Sequence, residues 1–69
     1  MVRMRATDFW ERMRAVFGPA YAESFARDHV LQDLGSRTII EAMNAGYDVK
    51  DIWRAVVMSG SVEVPSRLR

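Results

Sequence analysis

Residues Arg37–Met58 read RTIIEAMNAGYDVKDIWRAVVM, and their punctuation predicts two short helices around a glycine turn. Thr38 and Glu41 have the T-x-x-E spacing of a capping box, in which each side chain accepts a backbone N–H that the helix start leaves unpaired. Ile39, Ala42 and Met43 then face inward at helical spacing. Gly46 closes this helix. Asp48 caps the next one, and Asp51 adds negative charge to its first turn, where the helix dipole favours it. Val49, Ile52, Trp53 and Val56 form the buried face of that last helix, and Ser59-Gly60-Ser61 ends it.

The same logic extends upstream. Thr7 is the predicted N-cap of a first helix over residues 8–17, with Asp8 and Glu11 in its first turn. Phe9, Trp10, Met13, Val16 and Phe17 make its apolar stripe. Gly18 stops the helix, and Pro19 is suited to the first position of the next. That second helix carries Tyr21, Ala22, Phe25, Ala26 and His29 along one side. Val30, Leu31 and Leu34 continue in a different phase, which predicts a break near His29 and a turn ending at Gly35. The termini alternate apolar and polar residues, Val2-Arg3-Met4-Arg5 and Val62-Glu63-Val64, so residues 1–6 and 59–69 are expected to be flexible or extended arms.

The expected fold class is therefore all-α. It is a compact orthogonal bundle of four to five short helices, forming one domain over residues 1–69, with Trp10, Phe17, Phe25 and Trp53 dominating the core. A chain of 69 residues buries only about 60% of its unfolded surface, so each core residue counts. With no cysteine, neither a disulfide nor a thiolate zinc site is available, which fits a reducing cytoplasm. No apolar run approaches the roughly 18 residues of a membrane span, and no apolar segment follows the charged start as in a signal peptide.

Charge and side-chain inventory narrow the function classes. The net charge is +1, from 10 basic and 9 acidic residues, which is no electrostatic footprint for a polyanion. His29, the only histidine, has Asp33 one turn on, but a metal site needs three or four ligands. A hydrogen bond to a carbonyl, or a capping role at the helix break, accounts for His29. The serines lack a nucleophile-elbow context, and the glycines are single helix stops rather than a phosphate loop. No catalytic, cofactor-binding or metal-ligating residues are expected.

The segment 37–58 also overlays the spacing of a helix-turn-helix, with Ala42, Gly46 and Ile52 at its small, glycine and apolar positions. Its second helix would then enter the major groove, with Arg37, Lys50 and Arg54 as the contacting residues. That helix begins with Asp48 and Asp51, however, and three cations neutralise few phosphates. Tyr47, Trp53 and Met58 are the candidates for a protein-binding surface, because aromatic and methionine side chains suit adaptable apolar contacts. Within that set, Trp53 fits the core and Tyr47 the surface.

The words TDFWERM, FGPAYAES, DHVLxxLGxRT, EAxxAG and IWRAV occur in this order between Met4 and Val57. Together they resemble a family of small actinobacterial proteins of unknown function. The resemblance implies a cytoplasmic helical protein of a family whose genes often lie near those of the homologous-recombination ATPase and its regulator. It carries over no catalytic or binding residue. It also implies that Met1-Val2-Arg3 is either an extension or an alternative start, and it runs out after Val57. The expected function is a non-enzymatic interaction or regulatory module with a protein partner; the alternative is a helix-turn-helix-like nucleic-acid-binding protein linked to recombination or repair.

Overall fold

A computed structural model of the chain describes residues 4–60 and 63–68. Four α-helices and a short antiparallel hairpin follow in order: α1 (Ala6–Phe17), α2 (Pro19–Asp28), β1 (Val30–Leu31), β2 (Arg37–Thr38), α3 (Ile39–Asn44) and α4 (Val49–Ser59). Single 3₁₀ turns occupy Gln32–Leu34 and Ser66–Leu68.

α1 starts two residues before the predicted 8–17, and its N-cap is Arg5, not Thr7. The cap works from inside the helix. Asp8, at the third helical position, accepts the Arg5 backbone N–H (3.2 Å). A guanidinium has no acceptor atom, so only the carboxylate half of a capping box operates here. Gly18 joins α1 to α2 without a loop. Its N–H reaches the Arg14 carbonyl (2.9 Å) and its own carbonyl receives the Ala22 N–H (2.9 Å). The backbone there has φ +88°, a conformation that residues with a Cβ rarely adopt, and Pro19 opens α2 in the N-terminal position it favours.

α2 ends where the apolar phase shifts. His29 is extended and its N–H closes on the Phe25 carbonyl (3.0 Å). The chain then makes a hairpin, with Val30 opposite Thr38 and Leu31 opposite Arg37. This strand pair corrects the all-α expectation. Two-residue strands are too short to show a period of two, and Val30-Leu31 reads as more helix on hydropathy alone. Residues 35 and 36 both take positive φ, 69° at Gly35 and 61° at Ser36.

The capping box forms as predicted. Thr38 N–H donates to Glu41 Oε1 (2.9 Å) and Glu41 N–H donates to Thr38 Oγ1 (3.1 Å). α3 ends in a Schellman motif: Tyr47 N–H reaches the Ala42 carbonyl (3.0 Å) and Gly46 N–H the Met43 carbonyl (3.1 Å). Asp48 then caps α4 through the Lys50 N–H (3.0 Å), and Gly60 ends α4 in the left-handed conformation.

Phe9 stands at the centre of the core, with no exposed surface. Its ring meets Trp10 edge-on (5.4 Å between centroids, 75°) and Trp53 edge-on (6.0 Å, 85°). Met13, Leu34, Ile39, Ile52 and Val56 are the other largest fully buried side chains. Phe25 and Trp53 are buried as expected, whereas Trp10 and Phe17 are only half-buried and pack against the core from its edge. Helical phase explains the exchange. Phe9, Met13 and Val16 share one line, and Trp10 and Phe17 lie one position, about 100°, to its side.

The segment after α4 packs back onto the domain. Val64 is buried, and Trp53 Nε1–H donates to the Leu68 carbonyl (2.7 Å). Among the described residues, Met4, Arg5, Glu63 and Val64 are not strand, so no pair of extended arms forms there; Val2, Arg3 and Val62 lie outside the described residues. The Cα radius of gyration, 11.0 Å, equals the roughly 11 Å of a packed chain of this length.

Phe9→Ala is expected to destabilise the domain by about 3–5 kcal/mol, and Trp10→Ala by clearly less, because only the first vacates the centre. Urea unfolding followed by circular dichroism checks this; equal losses would refute the central placement of Phe9.

Candidate partner-binding surface

The six residues singled out from the sequence separate into three groups. Trp53 is buried with its indole N–H committed to Leu68, so it is core and offers nothing to a partner. Arg37 and Tyr47 come together. The Arg37 guanidinium donates to the Tyr47 hydroxyl oxygen (3.1 Å) and to the Leu34 carbonyl (3.3 Å), and it stands 5.7 Å from the centre of the Tyr47 ring. Such an arginine ties the hairpin loop to the α3–α4 turn, and Tyr47 is half-buried rather than a free surface aromatic.

Gly35 makes room for this clamp. A Cβ there would sit 2.5 Å from Arg37 Nη1, at a backbone with φ +69°.

Lys50, Arg54 and Met58 are exposed and spaced by four along α4, which puts them on one flank of the helix. Neither cation forms an ion pair with a described residue. Asp51 is exposed on the same first turn as Lys50, and Asp48 is the cap. The acids that start the helix therefore sit beside its cations.

A different feature emerges on the far side of α2. Tyr21, Phe25 and His29 are spaced by four, and their rings form a column with Phe17. Phe17 stacks on Phe25 (4.3 Å, 24°), Phe25 on His29 (4.5 Å, 14°), and Tyr21 lies 6.2 Å from Phe25. His29 and Val30 then line a shallow hollow of about 290 Å³ with Met58. Among the described residues, the large apolar side chains that remain exposed are Tyr21 at 58%, Val30 at 51% and Met58 at 72%. Val30 and Met58 share the hollow, and Tyr21 is linked to it through the rings of buried Phe25 and His29. His29 thus has a ring-stacking role, and its backbone caps α2.

Met58, one of the three surface candidates, is exposed. Tyr21 and His29 have the four-residue spacing of a core stripe in the sequence, and only the fold shows that they are exposed. Among the described residues, no three histidine, cysteine or acidic side chains gather where they could hold a metal ion. No helix of the described residues is long and apolar enough to cross a membrane.

Residues 4–67 match the sequence profile of a family described as "Protein of unknown function (DUF3046)". The chain belongs to that family. No curated protein and no solved structure matches it. The DUF3046 match reaches past Val57, where the resemblance in the sequence runs out, and takes in buried Val64; Leu68, whose carbonyl receives the Trp53 indole N–H, lies one residue beyond it. Val64 of this DUF3046 chain thus belongs both to the matched residues and to the buried core.

Arg37→Ala is expected to lower stability by about 1 kcal/mol, since it leaves the Leu34 carbonyl and Tyr47 hydroxyl without this donor. Lys50→Ala and Arg54→Ala should each stay within about 0.5 kcal/mol, as exposed side chains without such contacts. Thermal or urea denaturation of the three variants decides. A neutral Arg37→Ala would show that the clamp contributes nothing to stability.

Proposed function

We propose that this chain is a non-enzymatic cytoplasmic interaction module that binds a protein partner through the strip running from Tyr21 over His29 and Val30 to Met58. The exposed Val30 and Met58 on one hollow, with the His29 ring beside them, are the observation that carries this reading; Tyr21 joins them through the stack over buried Phe25. Single exposed apolar side chains are ordinary on any soluble protein. A connected set beside a hollow is the form that protein contact sites take. Methionine at its edge adapts to the shape of a partner.

The alternative is a helix-turn-helix-like protein that contacts DNA in recombination or repair. It rests on Lys50 and Arg54, exposed on one flank of α4. Arg37, the third cation of that reading, is engaged by Leu34 and Tyr47. The remaining pair sits among the acids of the helix start, and few phosphates would be neutralised. This charge pattern favours the protein partner, and the resemblance to proteins encoded beside recombination genes makes a regulatory role in that setting the natural first search.

The test uses Val30→Glu and Met58→Glu, both at exposed positions, with folding checked by circular dichroism. Affinity capture from the native host is expected to enrich a partner with the unaltered chain and to lose it with either variant. Capture that persists in both variants would overturn the strip. In parallel, titration with mixed-sequence duplex and single-stranded DNA at low salt is expected to show no binding. Salt-sensitive binding that Lys50→Ala or Arg54→Ala removes would move the function to nucleic acid.

A further inference from the structure

The opposite flank of α2 carries its own feature. Pro19, Glu23 and Arg27 are spaced by four, as Tyr21, Phe25 and His29 are, but two positions out of phase. Two residues are about 200° around a helix, so the two rows lie on nearly opposite sides. Beside the second row, α1, α2 and α3 enclose a groove of about 450 Å³. Half-buried Trp10 and Ile40 line it with buried Ala22, and Arg14, Arg27 and Glu23 line it as well.

The charges of the groove are not balanced. Glu23 is the acid among its lining residues, and it already pairs with Arg27 (3.7 Å). Arg14 forms no ion pair with a described residue. Compensation of a helix dipole accounts for arginine in the last turn of α1. It does not account for a half-buried tryptophan beside that arginine, left open over an apolar floor. Tryptophan and arginine are the residues that dominate binding energy at protein contacts, and arginine matches a carboxylate in a two-pronged hydrogen bond.

We infer that this groove is a second docking site, whose occupant is a peptide segment pairing an acidic with an apolar side chain. The apolar side chain packs on Trp10 and Ile40, and the carboxylate meets Arg14. The groove shares no lining residue with the hollow at Val30 and Met58, so the two surfaces are separable. A chain with both would bridge two partners.

The probe is a short synthetic peptide of alternating aspartate and leucine, with a lysine–leucine peptide as control, titrated into the full chain and followed by NMR. Saturable shifts of the Trp10 indole and Ile40 methyl signals are expected with the acidic peptide alone, and they should weaken as salt rises. Arg14→Glu, at an exposed position, should weaken binding by at least about tenfold, the scale of one charge-assisted hydrogen bond. Met58→Glu should leave it unchanged, which separates this site from the strip. Absence of saturable shifts, equal binding of the lysine peptide, or full affinity in Arg14→Glu would each overturn the inference.

Discussion

Phe9 is held edge-on between two tryptophans, and that contact joins the first helix to the last. A chain of 69 residues without cysteine has no covalent means of closing its fold, so one well-packed centre must do it. The placement then sets further requirements. Trp53 brings a polar N–H into the interior, and a buried indole N–H without a partner would cost about 1–3 kcal/mol. The Leu68 carbonyl supplies the partner (2.7 Å). The tail after α4 therefore packs back because the central aromatic contact needs it, and Val64 is buried along the way.

What was readable in the sequence was local. The capping box at Thr38 and Glu41, the cap at Asp48, the Gly18–Pro19 junction and the stop at Gly46 each depend on residues within one turn of each other. All of them occur in the fold. The cap of α1 is the exception: Thr7 has the right residue type, but Asp8 serves from a position where the sequence offers Arg5 as the cap residue. What was not readable required distant partners. Nothing in Val30-Leu31 reveals that Arg37-Thr38 will pair with it. Nothing in Leu68 reveals that Trp53 will need its carbonyl. Likewise Phe9 and Trp10 are both plausible core residues within α1, and only the position of α4 decides between them.

The surface follows from the same geometry. α2 is narrow enough that its Tyr21–His29 row and its Pro19–Arg27 row cannot both face the core. Ala22 and Ala26 take the interior together with Phe25, the middle of the first row, which leaves Tyr21 and His29 on one side, and the second row on the other, at a boundary between core and solvent. At one boundary the aromatic column runs on into Val30 and Met58; at the other, Trp10 and Ile40 are left half-covered beside arginines. A spacing of four alone could not separate these from core stripes. The pairing of α2 with the hairpin on one side and with α1 and α3 on the other is what makes them surfaces.

Counting cations would have favoured nucleic acid more than the fold does. Arg37 reaches the turn of the candidate helix-turn-helix through Tyr47, and its guanidinium donates to the Leu34 carbonyl and the Tyr47 hydroxyl. Gly35 preserves the space it occupies. An arginine that closes a loop in this way cannot also follow a phosphate backbone without giving up that closure, and the loop it closes presents Thr38, the cap on which α3 begins. Lys50 and Arg54 remain outward, but the carboxylates that start their helix are fixed in the same turn, one of them by the cap itself. The requirement that α4 be properly capped thus works against the charge pattern a DNA-reading helix needs. At the other end of α4, Met58 is the large apolar side chain left exposed.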